Sequence, residues 1–120
     1  SYLHIMVGVY EEFFESLGFP WPEMVNERKL GFPTVTLDLT FTNPGFHGDR
    51  LDFTLKLARL GNSSLDLEHE VRTGTRLLWT ARQRLVLTSH ETNKACPWPD
   101  DLRLALTQHL ENEDAHHSAA

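Results

Sequence analysis

One cysteine, Cys96, is all that this 120-residue chain carries, so no intrachain disulfide can form. That scarcity suits a reducing compartment and gives an expectation of a cytoplasmic protein. Cys96 sits beside Pro97 in an expected loop, with no histidine placed near it in a nucleophile signature, which leaves little support for a catalytic thiol. Basic charge is also short. Eleven Lys and Arg stand against 17 Asp and Glu, a net charge of −6, which excludes a general nucleic-acid binder but not an anion held by a few local arginines. Long apolar runs are missing, and none approaches the ~18 residues that a membrane-spanning helix needs. No basic stretch followed by a short apolar core marks a signal peptide. The first residue is Ser rather than Met and leads straight into a helical pattern, which suggests further residues upstream. No internal repeat and no second domain are visible. The reading is therefore one domain over residues 1–110, with the polar, small-residue stretch 111–120 expected as a flexible tail.

What is present is organised around the stretch from Tyr2 to Leu17. Leu3, Met6, Tyr10, Phe13, Phe14 and Leu17 recur at the three-and-four spacing of a helix face. Tyr2, Ile5, Val7 and Val9 make the first half apolar nearly all round, the mark of a buried helix, while Glu11, Glu12 and Glu15 open a polar side later. Gly18 followed by Phe19-Pro20 predicts its end. A short helix is expected from about Pro22 to Glu27. The period then changes to two. Val35, Leu37, Leu39 and Phe41 alternate with Thr and Asp; Leu51, Phe53, Leu55 and Leu57 do the same; Leu65, Leu67 and Val71 follow; and Leu77, Trp79, Ala81, Leu85 and Leu87 oppose Arg82 and Arg84. Asn43-Pro44-Gly45, Gly61-Asn62-Ser63 and Thr73-Gly74-Thr75 supply the turns. Four strands joined by turns predict an antiparallel sheet with one apolar face, and the first helix is the element expected to cover that face. A short terminal helix is expected after Pro99, with Asp100 and Asp101 favouring its positive end. The fold class is α+β: a long helix wrapped by an antiparallel sheet.

Several phrases resemble a known family. EEFFESLGFPWPEM, Gly31-Phe32-Pro33, the run Phe46-His47-Gly48-Asp49-Arg50-Leu51, Leu60-Gly61-Asn62-Ser63-Ser64 and PWPDDLRLAL are together similar to the 4-hydroxybenzoyl-CoA thioesterase family of acyl-CoA thioesterases, with the hotdog fold. The resemblance covers Tyr2 to about Leu106. It implies hydrolysis of an acyl-CoA thioester to free acid and CoA, with no separate cofactor, in a homodimer or homotetramer whose sites lie between subunits. In that family a strand and a loop of form D-x-D-x-x-G-x-x-[FY] precede the central helix, and the second Asp of the loop is the catalytic carboxylate. Aligned so, Ser1 falls just after the loop, and the nucleophilic Asp maps to no residue of this chain. The implied oxyanion donors are backbone N–H groups at the helix start, at Tyr2 and Leu3. The acyl lining is implied at Phe32, Pro33 and Val35, and CoA contacts at Asn62, Ser63, Ser64 and Arg82, with Arg59 and Arg84 as neighbouring cations suited to phosphate.

Each of these has a plainer reading. Tyr2 and Leu3 are also simply a helix start; Phe32 and Val35 are also core candidates; the arginines are also ordinary hairpin side chains. Glu11, Glu12, Glu15 and Asp38 are carboxylates available in the chain, and solvated positions suit all four better. Seven histidines show no short ligand pairing, so no metal site is expected. His69 falls on the apolar side of its strand and is expected as a hydrogen-bonded core residue; His47 lies in a loop that the resemblance places near a subunit interface. The second reading of the whole chain is a non-catalytic hotdog module that binds acyl-CoA, acyl-carrier protein or a partner subunit.

Overall fold

The computed structural model describes the backbone of residues 2–119 and the side chains of residues 8–113. Helix α1 spans Tyr2–Ser16. It ends where glycine was expected to end it. Gly18 takes a φ of +94°, open at little cost only to a residue without Cβ. That twist lets Phe19 N–H reach the Phe14 carbonyl (3.0 Å) and Gly18 N–H reach that of Glu15 (3.0 Å), the paired bonds of a Schellman cap. The expected short helix is present as a π-helical turn, Glu23–Glu27, closed by Arg28 N–H on the Glu23 carbonyl.

The alternating stretches form four strands, β2 (Thr34–Phe41), β3 (Asp52–Leu60), β4 (Ser64–Thr73) and β5 (Arg76–Val86), following a two-residue strand β1 (Leu30–Gly31). The sheet order is β2-β5-β4-β3, all antiparallel. A second, small sheet joins β1 to β6 (Thr88–Ser89) and β6 to β7 (Lys94–Ala95). Register fixes which residues share a face. Rows Leu37–Gln83–Leu67–Leu57 and Leu39–Ala81–His69–Leu55 and Phe41–Trp79–Val71–Phe53 line the inner face. Asp38–Arg82–Glu68–Lys56 crosses the outer face with signs alternating at every strand.

The core joins Tyr10 and Phe14 of α1 to Leu57, Leu65, Leu67 and Leu85 of the sheet, with Met24, Leu30 and Phe32 at one end. The expectation that α1 alone covers the sheet needs correcting. Helix α2, Asp100–Ala119, sends Leu102 and Leu106 fully into the same core, and Trp98 precedes them. Their i, i+4 spacing gives α2 its apolar stripe, and Arg28 forks onto both Asp101 carboxylate oxygens at 2.8 Å to hold its first turn. α2 runs beyond the expected bound near residue 110, through residues 111–119. One reason is visible in the packing: Glu113 accepts the Leu57 N–H of edge strand β3 (3.2 Å) and contacts His109 (2.8 Å), which ties that part of the helix to the sheet.

Candidate functional site

The sheet places the residues of interest in three groups. The first is the start of α1. Tyr2 opens the helix and Leu3 follows, so their backbone N–H groups belong to the first turn, whose N–H groups an α-helix does not pair internally. No acidic side chain lies in that turn. The side chains of both residues fall outside those described. Glu12 and Glu15 are exposed and Glu11 half-exposed, all in the later part of the helix.

The second group forms around the end of β5. Val86 N–H donates to the Pro33 carbonyl (3.1 Å), and Leu87 N–H donates to the Ser63 carbonyl (2.6 Å). Phe32-Pro33 and the Asn62–Ser64 turn, 30 residues apart in sequence, therefore flank the same two residues. Trp98 bridges them: its ring lies 6.3 Å from that of Phe32 and its indole N–H donates to the Ser64 carbonyl (3.2 Å). Phe32 itself is buried among Phe14, Trp21 and Trp98, so it acts as a wall from below. Pro33 is exposed and Val35 is 53% exposed. Arg103 of α2 reaches this turn, its guanidinium donating to the Gly61 carbonyl (2.7 Å). Nothing local marks that cation, because the contact spans 42 residues and depends on where α2 docks.

Arg82 does not join this group. It stands four residues back along β5, about 13 Å at 3.3 Å per residue, on the outer face, where it pairs with Glu68 (2.9 Å) and lies opposite Asp38. Its neighbour Arg84 forks onto Asp66 (2.7 and 3.0 Å). That hydrogen bond holds the Asp66 carboxyl below its usual range, assisted by Arg59 and Arg82 nearby. Asp38 is exposed on this charged face.

The third group was missed as a site in the sequence. The loop after β2 folds back to make a groove of about 540 Å³ against Phe41, Leu51, Leu78 and Trp79. Asn43 anchors the loop on the Leu77 carbonyl (2.7 Å), Asp49 accepts the Phe46 N–H (2.8 Å), and the Arg76 guanidinium lies 4.9 Å from the Phe46 ring centre. His47 is exposed in this loop. The forewarnings were the alternation that put Phe41 and Trp79 on one face and the resemblance that placed the His47 loop near a subunit interface.

Among the described residues no three His, Cys, Asp or Glu side chains converge as metal ligands. Burial pushes the Cys96 thiol up, which makes its thiolate scarcer. His69 is buried at 4% exposure and its Nε2 lies 2.7 Å from the Gln83 side-chain oxygen, while the Gln83 amide donates to the Thr34 hydroxyl (2.8 Å). Because the amide nitrogen is committed to Thr34, its oxygen accepts and His69 carries the proton on Nε2. It is the hydrogen-bonded core histidine that the alternation predicts.

Residues 1–106 match the model of the thioesterase-like superfamily. The chain belongs to that superfamily. Its sheet and helix are the hotdog fold. A hypothetical protein from Thermus thermophilus superposes at a TM-score of 0.80 with 27% identity over 90% of this chain and 81% of its own. A gentisyl-coenzyme A thioesterase superposes at 0.77, also with 27% identity, over 88% of this chain and 82% of its own. A Staphylococcus aureus protein in complex with CoA, 19% identical, has the same fold at a TM-score of 0.83 over 92% of this chain and 70% of its own. No curated protein sequence matches the chain. No helix among the described residues is long and apolar enough to cross a membrane.

Proposed function

We propose that this hotdog domain is an acyl-CoA thioesterase acting in the cytoplasm as a homodimer or homotetramer. The observation that carries the reading is the superfamily match across residues 1–106, supported by the gentisyl-coenzyme A thioesterase and the CoA-bound neighbour among similar structures. In the reaction an oxygen nucleophile adds to the thioester carbonyl, the C–S bond breaks, and the CoA sulfur leaves with a proton. The first-turn N–H groups at Tyr2 and Leu3 suit the developing oxyanion, because a first turn has no partner for them within the helix and they lie at the positive end of its dipole. The paired Phe32-Pro33 and Asn62–Ser64 segments suit the substrate: Pro33 and Val35 offer apolar surface, and the turn offers side-chain donors for CoA, with Arg103 beside it as a further cation. Arg82 contacts CoA only in an assembly that brings its outer face to the turn of another copy.

A second reading, a non-catalytic module that binds acyl-CoA, acyl-carrier protein or a partner subunit, is favoured by one observation: no carboxylate lies in the first turn of α1. Thiol release from a panel of acyl-CoA thioesters separates the two. Turnover supports the thioesterase, and Glu11→Gln, Glu12→Gln and Asp38→Asn then locate the carboxylate. Silence across the panel, with CoA binding intact by calorimetry, supports the module.

A further inference from the structure

On the side of the molecule where the small sheet meets the π-helical turn there is a cleft of about 470 Å³ that borders the proposed acyl lining at Phe32 and Pro33. Its floor is aromatic: the Trp21 and Phe32 rings lie 4.6 Å apart, tilted by 37°, and Val25 and Leu30 extend it. Its wall is polar: Thr88, His90 and Asn93. Among the described residues none of these three side chains makes a hydrogen bond. Among the described residues no carboxylate, lysine or arginine lines the cleft.

The backbone around it is shaped to bring these groups together. A Cβ on Gly31 would stand 2.6 Å from the Thr88 hydroxyl and 3.2 Å from His90 Nε2, so only glycine lets both side chains lie against this strand without a shift. Lys29 adopts a φ of +57°, uncommon for a side chain of its size, and thereby turns its carbonyl onto the His90 N–H (2.7 Å). Asn93 also has a φ of +57°, with its N–H on the Ser89 carbonyl (2.7 Å).

The chemistry of this lining selects among ligands. An aliphatic chain would cover the floor but would strip water from Thr88, His90 and Asn93 without replacing their hydrogen bonds. A strongly charged group would meet no countercharge. A flat, neutral nitrogen heterocycle satisfies both parts: its face stacks on Trp21, and its edge offers the alternating donors and acceptors that an asparagine amide reads as a pair. We propose that this cleft binds a purine base through Trp21 and Asn93, with His90 and Thr88 completing its edge. The base could arrive as a free nucleoside or as the nucleotide end of CoA. The first source does not depend on the thioesterase reading; the second rests on it.

The test is a fluorescence and calorimetric titration of the 120-residue chain with adenosine, CoA and pantetheine. The expected result is saturable binding and tryptophan quenching with adenosine and none at this cleft with pantetheine. Trp21→Leu should remove the quenching. Asn93→Ala and His90→Ala, both at exposed positions, should leave the far-UV spectrum unchanged and weaken adenosine roughly tenfold or more, the size of a lost paired base contact. Gly31→Ala should weaken it too. Competition between adenosine and CoA assigns the cleft to the nucleotide end of CoA. Adenosine binding without competition supports the cleft as a nucleoside site. Absence of adenosine binding, or binding unchanged in both Asn93→Ala and His90→Ala, overturns the proposal; CoA binding that persists in those variants leaves the thioesterase reading standing.

Discussion

His69 and Gln83 show how one pair of polar residues is tolerated inside an apolar sheet face. Each is held by a partner, and Thr34 at the edge closes the chain. Gln83→Leu keeps the volume but leaves the His69 N–H buried without an acceptor. It should cost about 1–3 kcal/mol, read as a lower urea midpoint with unchanged slope. Burial also pushes the His69 pKa below its ordinary 6.5, against a smaller opposing effect of the Gln83 hydrogen bond. The folded state therefore resists a proton that the unfolded chain accepts. Below about pH 6.5 the unfolded state binds more protons, so stability should fall as the pH drops from there toward the folded-state value. Asp66 and Asp101, held low by Arg84 and Arg28, lose their contribution only at lower pH, beneath their ordinary 3.8. Urea midpoints at pH 7.5 and 5.5 separate the windows: the drop should be present in the native chain and largely absent in His69→Leu, whatever the latter's overall stability. His69 was legible from its place in the alternation. Gln83 was not, because nothing local distinguishes a buried glutamine from an exposed one; its partner lies 14 residues away across a hairpin.

At the scale of elements, the two-residue period carried the four strands and their antiparallel sense, but not their order: the turn after β2 does not pair it with β3, and β2 lies beside β5 instead. The Schellman stop at Gly18 was equally readable. Strands β1, β6 and β7 were not, because two residues held by backbone bonds leave no pattern in side chains. The role of α2 was underestimated for a different reason: the polar composition after Leu110 hides a helix whose value lies in Leu102 and Leu106. Both are fully buried, so Leu102→Ala should cost about 2–5 kcal/mol in a chemical denaturation curve, as a cavity beside Trp98 would. A cost below 1 kcal/mol would mean that α2 is not a core element. Of the candidate site, the sequence named Phe32-Pro33 and Asn62–Ser64 as separate segments; that they flank the same end of β5 is a property of the register, and Arg103 enters only through the docking of α2.

At the scale of the whole molecule, β2 is an open sheet edge among the described residues, eight residues long with no proline or lysine to blunt it. Val35, at the bulge between Thr34 and Thr36, and inner-face Leu39 and Phe41 are 53%, 37% and 59% exposed. Pairing with a second β2 across a two-fold axis must keep like faces together, which restricts the centre to a residue rather than a bond. A centre at Asp38 sets two carboxylates opposite one another; a centre at Leu37 pairs Val35 with Leu39 and sets Asp38 against Thr36. The second register is the one expected of a homodimer. Leu39→Lys should then give a monomer by light scattering, while Asp38→Asn leaves the dimer intact. A native chain that is monomeric at all concentrations would remove this edge from consideration.

The core is closed by residues from opposite ends of the chain: Tyr10 and Phe14 near the start, Trp98, Leu102 and Leu106 near the finish. During synthesis the first helix emerges long before the partners that complete its burial. Until α2 follows, the inner sheet face and the apolar side of α1 have only each other. The domain therefore closes only when its last helix docks, and the nascent chain spends that interval as a client for whatever shields exposed apolar surface.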